Sequence, residues 1–147
     1  MTADRVTLAV PAHALPHSTP RQLLAAARAG LDEAATIAAP GMRYATAHLA
    51  ALRCAAAVLA ARAIPETRRK RHPVTSVWAL LVLVAPELTE WAAHFAAGAS
   101  LRAQAEAGIP RVVTAVDADA LLRSAWHFHQ LVTVLILSPF DDEQGGA

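Results

Sequence analysis

Cysteine is almost missing from this chain. Cys54 stands alone among 147 residues, which excludes an intrachain disulfide and a cysteine-based metal cage. It lies in an apolar stretch, where a lone thiol is expected to be buried and inert. Lysine is as scarce, with Lys70 the single example, and aromatics make up only 5%. A surplus of one charge is lacking too. The formal net charge is +1, so no global field draws the protein to nucleic acid or membrane, and only local patches can. A long hydrophobic run is absent despite a mean hydropathy of +0.34. The densest run, Val77 to Ala85, is far short of the ~20 residues that span a bilayer. Asp4 and Arg5 precede no apolar segment of the kind a secretory signal needs. The expectation is a soluble, cytoplasmic protein with no membrane partner.

What is present is alanine, leucine and valine. Hydrophobic residues reach 55% with few aromatics, a balance that suits closely packed helices rather than a β-sandwich. The length allows one domain with a sizeable core.

The longest apolar element is predicted from Met42 to about Ala63, after Pro40-Gly41 and before Pro65. It is apolar nearly all round, so it belongs in the middle of a bundle. Its first turns nevertheless carry Arg43, Tyr44 and His48, with Arg53 further on. An arginine there opposes the helix dipole by about 0.3–1 kcal/mol, so some other group must hold it.

Other elements follow from caps and periodicity. Thr19-Pro20 starts a helix running to about Ala39. Ser76 caps a helix from Val77 that Pro86 interrupts and that continues from Glu87 to Ala107, stopped by Gly108 and Pro110. Thr114 and Asp117 have capping-box spacing and open a last helix, Ala115 to about Leu137. Glu90 and His94, four apart, can pair on its predecessor's outer side. The reading is all-α: an antiparallel up-and-down bundle of four main helices, the third broken at Pro86, with no sheet. Residues 1–18 form a flexible arm, 19–138 the bundle and 139–147 a disordered acidic tail.

Several segments together resemble a HEPN domain. They are Arg43-Tyr-Ala-Thr-Ala-His-Leu-Ala-Ala-Leu-Arg53, Trp78-Ala-Leu-Leu, Val84-Ala-Pro-Glu-Leu-Thr-Glu-Trp-Ala-Ala-His-Phe-Ala-Ala-Gly98 and Val113-Thr-Ala. The chain is similar to the small stand-alone HEPN proteins common in actinobacteria, over roughly Thr19 to Leu137. The resemblance implies a helical bundle that often forms homodimers. In many members it implies a metal-independent endoribonuclease, marked by an Arg followed by a His with four to six residues between, near a helix start in the C-terminal half. Other members are binding modules, or partners of nucleotidyltransferase-like proteins.

Two placements of such a pair exist. Arg43 and His48 have four residues between them on the second helix. Arg123 and His129 have five between them on the last helix. A histidine can take the 2′-hydroxyl proton of RNA, and an arginine fork can hold a phosphate. Positions five apart on a helix diverge by about 140°, so a two-fold dimer would be needed to join the Arg of one copy to the His of another. Alternatively, Tyr44 and His48 are a hydrogen-bonded core pair and Arg43 and Arg53 make salt bridges. Arg123 and His127 share a face, and Trp126 and His129 beside them could stack a base. This cluster has no nearby carboxylate and makes a poor metal site, and no cofactor is expected.

Arg68, Arg69, Lys70 and Arg71 form the one dense basic run. It is either a phosphate-binding loop or a solvated connection. The functional expectation is therefore a HEPN-like interaction or nucleic-acid-binding protein, with RNA, a nucleotide or another protein as partner. An Arg/His endoribonuclease and a structural bundle are the alternatives.

Overall fold

Small side chains set the spacing of this bundle. The computed structural model describes residues 9–11, 18–66 and 76–137. Helix α1 (Pro20–Thr36) opens with a full capping box. Thr19 Oγ1 accepts from the Gln22 amide at 3.1 Å, and the Gln22 side chain accepts from the Thr19 amide at 2.9 Å. It ends short of the predicted Ala39, because Pro40 disfavours helical backbone at the residue before it. Ile37 and Ala39 are both extended, and Pro40 takes the first position of α2 (Pro40–Arg62). The two helices form a tight hairpin. A Cβ built on the buried Gly30 would stand 3.5 Å from the Ala50 Cβ.

Helix α2 is the central element and packs on α1 as well as on three later helices. Its buried residues include Ala47, Ala50, Ala51, Cys54, Ala55, Val58 and Leu59. Its length and composition would let it cross a membrane, yet 61% of its most apolar window is buried inside the bundle. It therefore serves here as the core helix of the bundle. Its C-terminal end is tied down by Arg62, which donates to Glu87 at 2.7 Å.

Helix α3 (Val77–Val84) begins as expected, with Ser76 Oγ accepting from the Ala79 amide at 3.2 Å. Pro86 ends it and starts a single 3-10 turn, Pro86–Leu88, which leads into α4 (Thr89–Ala97). The predicted continuous helix to Ala107 breaks a second time, at Gly98, before α5 (Ala99–Glu106). Position 98 leaves no room for a side chain, since a Cβ there would lie 2.5 Å from the Tyr44 hydroxyl oxygen. Gly108, with φ at 81°, closes this region in the left-handed conformation that glycine adopts without strain.

Helix α6 (Ala115–Leu137) opens with the predicted reciprocal cap. The Asp117 amide donates to Thr114 Oγ1 at 3.0 Å, and the Thr114 amide donates to Asp117 Oδ2 at 3.2 Å. Where α3, α4 and α6 converge, aromatic rings fill the core. Trp78 stacks on Phe95 at 5.2 Å between centroids, Phe95 lies 5.1 Å from Phe128, and Trp91 stacks on Phe128 at 5.4 Å.

The all-α bundle carries one small addition that corrects the expectation of no sheet. Strand β1 (Ala9–Pro11) pairs in parallel with β2 (Ile64–Glu66), in the register Ala9↔Ile64 to Pro11↔Glu66. Three-residue strands 53 positions apart leave no alternating pattern to read, and each holds a proline, which argues against a strand. The basic run Arg68, Arg69, Lys70 and Arg71 and the acidic tail lie outside the described residues, as does most of the N-terminal arm.

Candidate functional site

Arg43 sits in the first turn of α2 with its side chain only 16% exposed. Its Nε donates to the Ile37 carbonyl at 2.9 Å and its Nη2 to the Ala38 carbonyl at 3.0 Å. Its Nη1 pairs with Asp119 of α6. The guanidinium thus lies at the C-terminal end of α1, where the helix dipole favours a cation. This offsets its unfavourable place at the start of α2. Every arm of the fork is committed, and the residue joins α1, α2 and α6.

His48 is 0% exposed. Its Nε2 lies 2.8 Å from the Phe95 carbonyl oxygen. A carbonyl only accepts, so Nε2 carries the proton and the neutral ring is the Nε2–H tautomer. Nδ1 is buried with no partner among the described residues. Burial pushes the imidazole below its ordinary pKa, reinforced by the charges of Arg102 and His94. The Phe95 hydrogen bond and Glu106 pull the other way without prevailing. The ring packs edge-on against Trp78 and Phe95.

Tyr44 is stacked on His48, with centroids 6.3 Å apart and planes 15° from parallel. The two are core neighbours, but the expected hydrogen bond between them does not form. The Tyr44 hydroxyl has no hydrogen-bond partner among the described residues. Burial, and then the charge of Asp117, hold its pKa above the ordinary tyrosine value. Arg53, half-buried on α2, passes 3.7 Å from a Cβ built on Gly30 and so lies in the seam between α1 and α2.

The second placement does not converge either. Arg123 and His127 are exposed, whereas His129 is buried. His129 Nε2 donates to the Leu24 carbonyl at 3.1 Å and so latches α6 to α1. Trp126 meets His129 edge-on, and the Arg28 guanidinium lies over its ring, 5.0 Å from the centroid. Glu90 and His94 form no ion pair with each other. They line a cavity instead.

Two cavities adjoin at His94, between α4 and α6. One of about 350 Å³ is lined by Glu90, Trp91, His94 and Ser124. The other, of about 180 Å³, is lined by Tyr44, His94, Leu101, Asp117, Ala120 and Leu121. The sequence marks Asp117 only as a cap and gives no signal for Ser124. No periodicity could have shown that α4 and α6 stand apart here.

Elsewhere on the chain, Cys54 is fully buried, and burial pushes its thiol up to about 12. Glu87 is half in the open. Burial pushes its carboxyl upward, but the Arg62 hydrogen bond, its own amide and the Arg62 charge together bring it below the usual value.

No curated protein and no solved structure matches the chain. A family model described as SAV_6107-like HEPN matches residues 34–133. The match begins in the last turn of α1 and takes in the Arg43–His48 stretch, the broken α3–α5 segment and nearly all of α6. It covers the helices that enclose His48, and with them the larger part of the chain, which therefore belongs to the HEPN domain family.

Proposed function

We propose that this protein is a binding module of HEPN fold rather than a nuclease. The observation that carries the reading is the sealed His48. A general base must reach the proton it removes, and this imidazole is held inside the core by Phe95. Arg43 is already paired, and Arg123 and His129 face different surroundings.

The partner we propose first is a second copy. On α6, Val116 is 74% exposed and Val134 is 63% exposed. They are separated by five full turns at 3.6 residues per turn, so they lie on one line along the helix. Leu131 is exposed beside them. Antiparallel pairing of two α6 helices about a two-fold axis sets Val116 of one copy against Val134 of the other, so each apolar end meets an apolar end. RNA is the second partner. The run Arg68 to Arg71 supplies phosphate-binding charge by counterion release.

The test combines sedimentation with RNA assays. The wild type should sediment as a dimer and Val134→Asp as a monomer. Labelled RNA, structured and single-stranded, should bind at low salt, and should stay uncleaved in the presence of a chelator. Replacing Arg68, Arg69, Lys70 and Arg71 with Ser should weaken binding similarly for all sequences. Specific chelator-resistant cleavage by the wild type would overturn the reading.

A further inference from the structure

Helix α5 is held differently from its neighbours. None of its residues is fully buried, and its apolar anchors are the partly buried Leu101 and Ala105. It lies chiefly along α2, with Ala105 close to Gly41. Elsewhere polar side chains tie the helices across the fold. Arg43 joins α2 to α6, His129 joins α6 to α1, and His48 joins α2 to α4. The polar side chains of α5 turn to one another instead. Gln104 donates to Ser100, and Arg102 pairs with Glu106 at 3.6 Å. Among the described residues no side-chain hydrogen bond or ion pair joins α5 to another helix.

The seam under α5 is also where buried polar atoms lack partners. Among the described residues these atoms are His48 Nδ1 on α2 and Arg102 Nε on α5. Buried polar groups are ordinarily hydrogen-bonded, so two of them on packed helices need an explanation. A Cβ built on Gly98 would stand 3.5 Å from His48 Cδ2, and Arg102 acts on the ring more strongly than any other charged group. Water entering the seam satisfies both atoms. The ends of α5 allow it to enter. Gly98 separates α5 from α4, and Gly108 follows α5 with φ at 81°. Such terminal residues are where a hinge absorbs backbone change.

We infer that α5 is a flap, hinged at Gly98 and Gly108, that lifts from α2 when His48 takes up a proton. In the closed bundle that proton would sit on Nδ1, which has no acceptor among the described residues. The groups around the ring set the sign. Burial, Arg102 on α5 and His94 on α4 oppose the cation, and they outweigh Glu106 on α5 and the Phe95 carbonyl on α4. Tyr44 on α2 and Trp78 on α3 present rings to it, and Asp117 on α6 acts on Tyr44. Lifting α5 hydrates the imidazole and takes Arg102 away from it. The open form then binds a proton near the ordinary histidine value, above that of the closed form, so acid favours opening. Access to His48 and to the α2 surface around it thereby depends on pH. The inference rests on the sealed His48 of the binding-module reading. Failure of that reading shows as RNA cleavage, and failure of this one as an α5 that ignores pH.

Hydrogen exchange of the intact protein between pH 7 and 5 tests it, read as protection relative to the unstructured chain at each pH. The amides of residues 102–106 should be less protected than those of α1 and α2. Their exchange should be insensitive to low urea, because a flap exposes little surface. Their protection should fall by up to tenfold per pH unit below 6.5, and His48→Phe should remove that fall. A second variant locks the flap. A Cβ on Gly41 lies 3.5 Å from the Ala105 Cβ, within reach of a disulfide. Gly41→Cys with Ala105→Cys, oxidised, should raise protection of α5 at least tenfold and abolish its pH dependence, and a reductant should restore both. The inference is overturned if α5 exchanges only together with α2, with the same urea dependence. It is also overturned if the protection of α5 does not change with pH, or if its fall survives in His48→Phe or in the oxidised pair.

Discussion

At the scale of single residues, His48 is the side chain on which the reading turns. Its neutral ring donates to Phe95, and the cation is disfavoured because Nδ1 would acquire a buried proton with no acceptor among the described residues. The folded-state pKa is lowered from the ordinary 6.5, so the unfolded chain takes up the proton first as pH falls. Stability from this residue is complete above 6.5 and is lost as pH drops below it towards the folded-state value. In that window the loss is about 1.4 kcal/mol per pH unit. Urea unfolding between pH 7 and 5 should show this slope in the wild type, and its contribution should be absent in His48→Phe. His48→Ala should cost about 2–4 kcal/mol at pH 7 through lost packing and the lost hydrogen bond. Gly98→Ala forces a Cβ against the Tyr44 hydroxyl and should cost about 1–3 kcal/mol. Part of that cost should vanish in the Tyr44→Phe background, a coupling that a double-mutant cycle reads directly. If the two changes simply add, the close approach is not what restricts position 98.

At the scale of elements, the boundaries legible in the sequence were those written by a cap or a proline. Thr19, Ser76, Thr114 with Asp117, Pro86 and Gly108 each act within a few residues, and each does what its local chemistry dictates. The close approach that keeps position 98 a glycine was not legible, because it comes from a tyrosine more than fifty positions earlier. Arg43 shows the same limit. Its conflict with the α2 dipole was visible in the sequence, whereas the carbonyls and the carboxylate that resolve it come from the α1–α2 turn and from α6. The parallel pairing of β1 with β2 was also hidden, since neither segment has the length to show a period. Arg43→Ala should therefore destabilise the α1–α2–α6 junction by about 1–3 kcal/mol, the range for hydrogen bonds to a charged group. Asp119→Ala should cost less, under about 1 kcal/mol, because that carboxylate is half exposed and screened. Thermal unfolding of the two variants side by side checks the order, and equal or reversed losses would show that Asp119 and not the α1 carbonyls anchors the arginine.

At the scale of the whole molecule, Cys54 gives a probe of cooperativity. The thiol is sealed in the centre of α2 and its pKa is about 12, so the native protein should be inert to a thiol reagent at pH 8. Labelling should require opening of the bundle, and its rate should track global stability across variants. Rapid labelling of the native wild type would mean that the core around α2 opens locally. The class of fold and the central place of α2 could be read from composition and apolar period. The candidate site could not, because it depends on which polar side chains the packing seals and which it leaves beside a cavity. The measurement that bears most directly on a binding role is the imidazole nitrogen NMR of His48 between pH 5 and 8. A sealed His48 should be a neutral Nε2–H ring with an unprotonated Nδ1 at neutral pH, titrating only below the ordinary 6.5. A ring that titrates at or above that value, with its N–H exchanging freely with water, would place His48 at a solvent-open cleft and contradict a sealed, non-catalytic role.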